Sequence, residues 1–450
     1  MRRARGSGGG AGPGAGRNNA GGAGGADGSG GIGAGGLGGL RAMPRNVWIL
    51  AGIALGVAIG FGVVNPVLPV FATAFGVDEL AAAAVVSAFA LMRLVFAPAV
   101  GRLTDAWGHR LTLVAGVLIV AVSSLAVGFA GSYAQMIVFR GLGGIGSAMF
   151  SVAAMTILLG SVDAGRRGRA SAVYQGSFLV GAVAGPAIGG LFGAISLRAP
   201  FFFYAITLGV AAAVAMGLEP IDGPGRRGGG RDGAGRDRDG AGRDGGAKGD
   251  RAASDVEPRP LRQVWRDRRF QAALLANLAQ GWNTNGTRAA LIPLFVAAYL
   301  AADEAQAVLW SGLAMSVAAV VQVAAIWPSG VVVDRAGRRG PMVAGALIAG
   351  AAMVWLPFSR SLAVLAAALA VYAIGAALIG TAPAAAVGDA AGAGGTRAIA
   401  LYSMAGDAGS VVGPLAAGYL AAQFSYVTAC ALGAALWALS ALVSATMRRR

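Results

Sequence analysis

"GAVAGPAIGG" fills residues 181–190 and "GSVVGPLAAG" fills residues 409–418, both inside apolar stretches long enough to cross a membrane. Glycine and proline are poor helix formers, so their recurrence within a span needs a physical reason. Gly181, Gly185 and Gly189 fall four residues apart, which aligns them as one smooth seam on a helix. Such seams let membrane helices pack closely, and Pro186 can bend the backbone beside this one, which Gly190 follows. The second copy keeps Gly409, Gly413 and Pro414, with Ala417 continuing the seam. Packing alone would account for the glycines. The stronger expectation is a pair of bendable contacts along which two halves of the chain rock.

The two stretches belong to a longer repeat. A shift of 228 carries Arg169, Ala170, Ala172, Tyr174 and Gly190 onto Arg397, Ala398, Ala400, Tyr402 and Gly418. A shift of 229 carries Gly101, Asp105, Gly108 and Arg110 onto Gly330, Asp334, Gly337 and Arg339. Parallel repeats of this kind imply a transporter with its substrate site between the halves.

The 450-residue chain is 56% hydrophobic and 12% charged, which excludes an ordinary soluble enzyme. About 20 apolar residues cross the hydrocarbon layer. Twelve such spans are expected, near 47–69, 81–100, 111–131, 134–157, 170–194, 201–218, 271–300, 307–329, 341–358, 362–386, 398–421 and 425–446. The fold class is therefore an all-α polytopic membrane protein with two six-helix halves, 47–218 and 270–446. Residues 1–46 are glycine-rich and lack the features of a signal peptide, so a disordered cytoplasmic tail is expected, with Met43 an alternative start to Met1. Residues 219–269 mix Gly, Arg and Asp and are expected to form a disordered cytoplasmic linker.

A net charge of +16 would point to nucleic acid in a soluble chain. With both termini placed in the cytoplasm, however, 31 of the 36 Lys+Arg residues fall on that side. Arg198 and Arg360 are the exceptions in outer loops, and Arg93, Arg140 and Arg288 lie within spans. The basicity thus reports the positive-inside rule, with some attraction to anionic lipid, and no nucleic-acid partner is expected. One lysine against 35 arginines fits a GC-rich bacterial genome and hence a bacterial plasma (inner) membrane. The single Cys430 and single His109 offer no metal site.

The loops "GRLTDAWGHRLTL" (101–113) and "GVVVDRAGRRGPM" (330–342) turn tightly, which Gly108 and Gly337 permit. At these residues the chain resembles the major facilitator superfamily, whose loop signature is Gly-x-x-x-Asp-(Arg/Lys)-x-Gly-(Arg/Lys)-(Arg/Lys). Gly330, Asp334, Arg335, Gly337, Arg338 and Arg339 fit it throughout. In the first copy Gly101, Asp105, Gly108 and Arg110 fit, but Ala106 and His109 stand at basic positions. The resemblance implies that Asp105 helps latch the halves on the cytoplasmic side; a turn with basic anchoring is the plainer reading.

"RGLGGIGSA" (140–148) matches the superfamily's Arg-x-x-x-Gly-x-Gly pattern through Arg140, Gly144 and Gly146. It also spells a dinucleotide fingerprint, which fails because an apolar span surrounds it where a strand should precede. The stretch at 181–190 matches the span-five signature of the antiporter branch at every fixed position, and this resemblance implies exchange rather than facilitation.

The mismatches between the copies are more informative. Asp407 stands where the first half has Leu179, and Arg93 stands where the second half has Gln322. Both charges lie at similar depth, about 12 Å along a helix from the cytoplasmic loops. The resemblance implies that their spans, two and eleven, are neighbours, and a charge at bilayer depth is costly unless paired. An Arg93–Asp407 bridge is expected, either as a carrier of the coupling proton or as a permanent strut. In span seven, Trp282, Asn283, Asn285 and Arg288 have largely apolar counterparts in span one. They are expected to line the cavity with Asn65, the alternative being helix-to-helix hydrogen bonding.

The expected function is a secondary transporter working by alternating access, exporting a small amphipathic compound in exchange for protons. It needs no cofactor, metal or ATP, being driven by the proton or substrate gradient. The three intramembrane arginines leave open an organic-anion transporter. An uncoupled facilitator and a transport-inactive membrane sensor are further alternatives. No nucleophile constellation or Walker motif supports an enzyme.

Overall fold

The computed structural model describes residues 43–163, 166–219, 261–391 and 396–447, and those residues contain helices and no strand. The expected tail up to residue 42 and linker residues 220–260 lie outside the described residues. In the first half, α1 (Arg45–Val64) and the short α2 (Leu68–Thr73) form span one. Then follow α3 (Glu79–Trp107), α4 (His109–Gly128), α5 (Tyr133–Gly160), α6 (Arg167–Ile195) and α7 (Ala199–Ala215). In the second half, α8 (Leu261–Arg266) precedes α9 (Arg268–Gly281), which runs into a π-helix (Trp282–Leu291) and α10 (Ile292–Tyr299) to make span seven. The last five are α11 (Glu304–Ala336), α12 (Arg339–Trp355), α13 (Leu362–Ala391), α14 (Thr396–Gln423) and α15 (Tyr426–Ala445).

Each expected span is helical. Among the described residues, nine helices are long and apolar enough to cross a membrane. The remaining three spans have local reasons for falling short. The helix α7 has 17 residues, span seven is interrupted by its π segment, and α14 carries Asp407 among serines and glycines. The linker ends earlier than expected: 261–266 are helical, and the Asp267 carboxylate caps α9 by accepting from Arg269 N at 2.8 Å. Val264 supplies the reason, being buried in a small core with Phe270, Ala273 and Ala398.

The helix ends away from the arginine-rich loops, called here the cap end, are closed by side chains. Asp78 Oδ1 accepts from Ala81 N at 2.8 Å and Asp303 Oδ1 from Gln306 N at 2.7 Å. Gln306 Oε1 in turn accepts from Ala302 N at 2.7 Å, tying the residue before the cap to the first turn. Arg198 sits at this end with its guanidinium donating to Gly128 O and Ala130 O, both at 3.3 Å. It thereby satisfies the free carbonyls ending α4, which explains one arginine on the sparsely charged side. At the loop end, Gly108 and Gly337 hold φ of 81° and 70°, a left-handed turn at the same place in each half.

Within the first half α6 packs along α1, and the opening glycines make that contact. A Cβ on Gly185 would stand 2.6 Å from Gly62 Cα, and one on Gly181 would stand 2.7 Å from Leu55 O. Gly189 is pressed against the Val63 backbone in the same way. The seam therefore joins two helices of one half, which corrects the expectation that it runs between halves. The adjacent Gly190, on another face of α6, does cross over. A Cβ on Gly190 would lie 3.1 Å from Leu309 O of α11. The second copy repeats the division of labour. Gly409 and Gly413 face Leu278 and Trp282 of span seven, whereas a Cβ on Gly418 would lie 2.7 Å from Ala83 Cβ of α3.

Candidate functional site

The two largest seams between the halves are α3 with α14 and α6 with α11. On the first, contacts descend from the cap end in three steps. Gly418 of α14 abuts Glu79, Leu80 and Ala83, then Ser87 Oγ donates to Val411 O at 2.8 Å. Deeper still, Arg93 Nη2 donates to Asp407 Oδ1 at 3.2 Å. Past this pair, residues 95–99 of α3 are all exposed. At the loop end a Cβ on Gly101 or Gly330 would meet nothing within 4 Å. The halves are thus closed at the cap end and parted at the loop end, with the ion pair at the fork. The expected Arg93–Asp407 bridge is formed, and its side chains are 46% and 34% exposed, so the fork is open to water-sized visitors.

The second seam is uncharged at the same depth. Gly190 and Gly312 bring α6 and α11 to backbone contact near the cap end. Deeper, Leu179 and Gln322 occupy the positions equivalent to Asp407 and Arg93. Gln322 turns into its own half, where its Oε1 accepts from Arg288 Nη1 at 3.3 Å.

Span seven owes its irregularity to Pro293. Proline lacks an N–H and clashes with the carbonyl four residues back, so the preceding turn cannot close normally. The equivalent Pro69 stands in the first turn of α2, just after a break at residues 65–67 that holds Pro66, whereas span seven widens into the ten-residue π-helix. Asn283 does not line a cavity: it is fully buried, donating to Ala279 O at 3.0 Å and Gly433 O at 3.3 Å. Asn285 Nδ2 donates to Ser410 Oγ at 2.9 Å, one turn along α14 from Asp407. These two amides join helices, as the plainer reading anticipated. Trp282 is buried with no partner for its indole Nε1, while Arg288 and Asn65, at the end of α1, are half-buried.

Arg140 is buried in the first half with its guanidinium 4.3 Å from the centre of the Phe89 ring and its Nε without a hydrogen-bond partner. A ring face attracts a cation, though less than a carboxylate would. Gly144 and Gly146 let α5 approach its neighbours: a Cβ on Gly144 would lie 3.1 Å from Arg93 N, and one on Gly146 2.9 Å from Ile119 Cβ.

In the loops, Asp105 is exposed and forms no ion pair among the described residues, so no latch is made in this parted state. Arg110 donates to Met216 O, tying the loop to the end of α7 within the first half. Arg335 is exposed, Arg338 and Arg339 are half-buried, and the Asp334 side chain lies outside the described part of the structure. Ser87, Ser410 and Asn277, which donates to Tyr402 O at 2.6 Å, were not singled out by the sequence. A lone serine or amide in an apolar span gives too weak a signal until its neighbour helix is known.

The chain shows 29% identity over 191 residues to a multidrug efflux protein of Bacillus subtilis (strain 168), covering 42% of this chain and 48% of that one. It is 35% identical over 175 residues to the class G tetracycline resistance protein of Vibrio anguillarum, covering 38% of this chain and 44% of the relative. The aligned part thus spans less than half the length of either relative. The fold resembles the solved nucleoside transporter NupG, with a TM-score of 0.69 at 12% identity, covering 90% of this chain and all of that one. The family model for the Major Facilitator Superfamily matches residues 50–285 and 273–450. With its repeat, its paired loops and this match over most of its length, the chain belongs to the major facilitator superfamily.

Proposed function

We propose that the protein is a secondary transporter of the bacterial plasma membrane, with both termini cytoplasmic, which exports a small amphipathic compound in exchange for protons. The observation that carries this reading is the Arg93–Asp407 pair at the fork between the halves. An ion pair that spans two moving bodies at bilayer depth is a two-state element: ionised it ties α3 to α14, and protonated at Asp407 it lets go. Its part-exposed carboxylate can take a proton from water in the cleft. The efflux and resistance relatives favour outward movement of a compound.

The test uses purified protein in liposomes with an imposed pH gradient. Adding a transported compound should release protons in wild type, and Asp407→Asn should abolish that release while still allowing exchange of labelled for unlabelled compound. Unchanged proton release in the variant would reduce the pair to a strut.

A further inference from the structure

Three arginines lie within the spans, and the described part of those spans supplies Asp407 alone as a carboxylate bonded to any of them. Arg93 takes it. Arg140 rests on an aromatic ring and is only 5% exposed, so it is shut off in this state. Arg288 differs from both. It is half-buried, its one hydrogen-bond partner among the described residues is the neutral Gln322 amide, and the fully buried Tyr372 stands nearby. Its π-helix packs on α14 and α3 of the charged seam, while its guanidinium reaches α11 of the uncharged one. Arg288 therefore stands between the two seams, where the halves part, on a backbone segment of a kind that recurs at functional sites.

A guanidinium at bilayer depth with no counter-charge is costly, and a planar fork of donors is the group best suited to a carboxylate. We infer that the transported compound carries an anionic group, of carboxylate type, which Arg288 receives by exchanging its bond to Gln322. This rests on the transport reading, and it assigns the anion to a residue separate from the coupling pair. Gln322 holds the guanidinium in place until the ligand arrives, at the lower cost of a neutral partner.

The experiment measures binding of dansyl-leucine and its neutral methyl ester to the full-length protein in nanodiscs by dansyl fluorescence. Wild type should prefer the acid by about tenfold or more, the range for a hydrogen bond to a charged group. Arg288→Gln should lose that preference by weakening the acid and leaving the ester, and Arg288→Lys should retain part of it. Gln322→Glu keeps the arginine but gives it an internal carboxylate, so it should also erase the preference; it serves if Arg288→Gln does not fold. Equal binding of acid and ester by wild type would overturn the inference, as would an equal loss of both in Arg288→Gln. Absence of binding by either probe overturns it too, while proton exchange with a neutral or cationic compound would leave the transport reading standing.

Discussion

The two seams between the halves began as copies of one another and now do different work. The α6–α11 seam meets through Gly190 and Gly312 and carries no charge where Leu179 and Gln322 stand. The α3–α14 seam has the same small-residue contact at Gly418, but continues through Ser87 to the Arg93–Asp407 pair. One seam is a bearing and the other holds a switch. Duplication supplies the geometry for both, and two substitutions are enough to give one of them a titratable link.

The largest expected effect lies beside both seams, at the glycines that pack α6 on α1 within one half and so set where α6 meets α11. Gly185→Val puts a branched side chain where even a Cβ would stand 2.6 Å from Gly62 Cα. It should cost about 3 kcal/mol or prevent folding, whereas Gly176→Ala, inside α6 with nothing within 4 Å, should keep or raise thermal stability in detergent, by up to about 1 kcal/mol. Equal effects would mean that α6 does not pack on α1 through its glycines.

Next in size is the charged pair. Arg93→Leu and Asp407→Leu each leave a lone charge at the fork, and the double variant leaves none. A double-mutant cycle on thermal stability should show coupling of about 1 kcal/mol, limited by the partial exposure of both side chains. Leu179 and Gln322, replaced by alanine singly and together, should be additive within about 0.5 kcal/mol. Coupling on both seams would erase the distinction between them.

The smallest expected effect belongs to the Asn285–Ser410 bond that backs the switch. Its removal by Ser410→Ala should cost about 0.6 kcal/mol, the scale of interhelical hydrogen bonds in membranes, with a small change in proton exchange. A loss as large as that of Asp407→Asn would make Ser410 part of the proton route.

Much of this is legible in the sequence alone. The spans follow from hydropathy, and the turns at Gly108 and Gly337 follow from a repeated loop. Asp407 was found because the repeat made its counterpart, Leu179, visible. What stayed hidden was partner choice. Gly181 and Gly185 announce a close contact but not with which helix, since a small-residue seam looks the same whether it faces α1 or the other half. The amides of span seven were equally ambiguous, because Asn283 buried against Gly433 and a cavity-lining Asn have the same local sequence. The π-helix of span seven was not anticipated, since Trp282–Leu291 carries no local pattern that separates it from an ordinary helix.

The central claim is that Asp407 is a switch between two arrangements of the halves. Its most direct test places spin labels at Gly101→Cys and Gly330→Cys, in a Cys430→Ala background, where neither site is crowded. Distances between them would be recorded by electron–electron double resonance across pH in nanodiscs. Protonating Asp407 removes the charge that holds Arg93, so the long, parted distance should prevail at high pH and give way to a shorter one as pH falls. In Asp407→Asn the distribution should not respond to pH. The same pH response in the variant as in wild type would contradict the account and leave the pair a permanent strut.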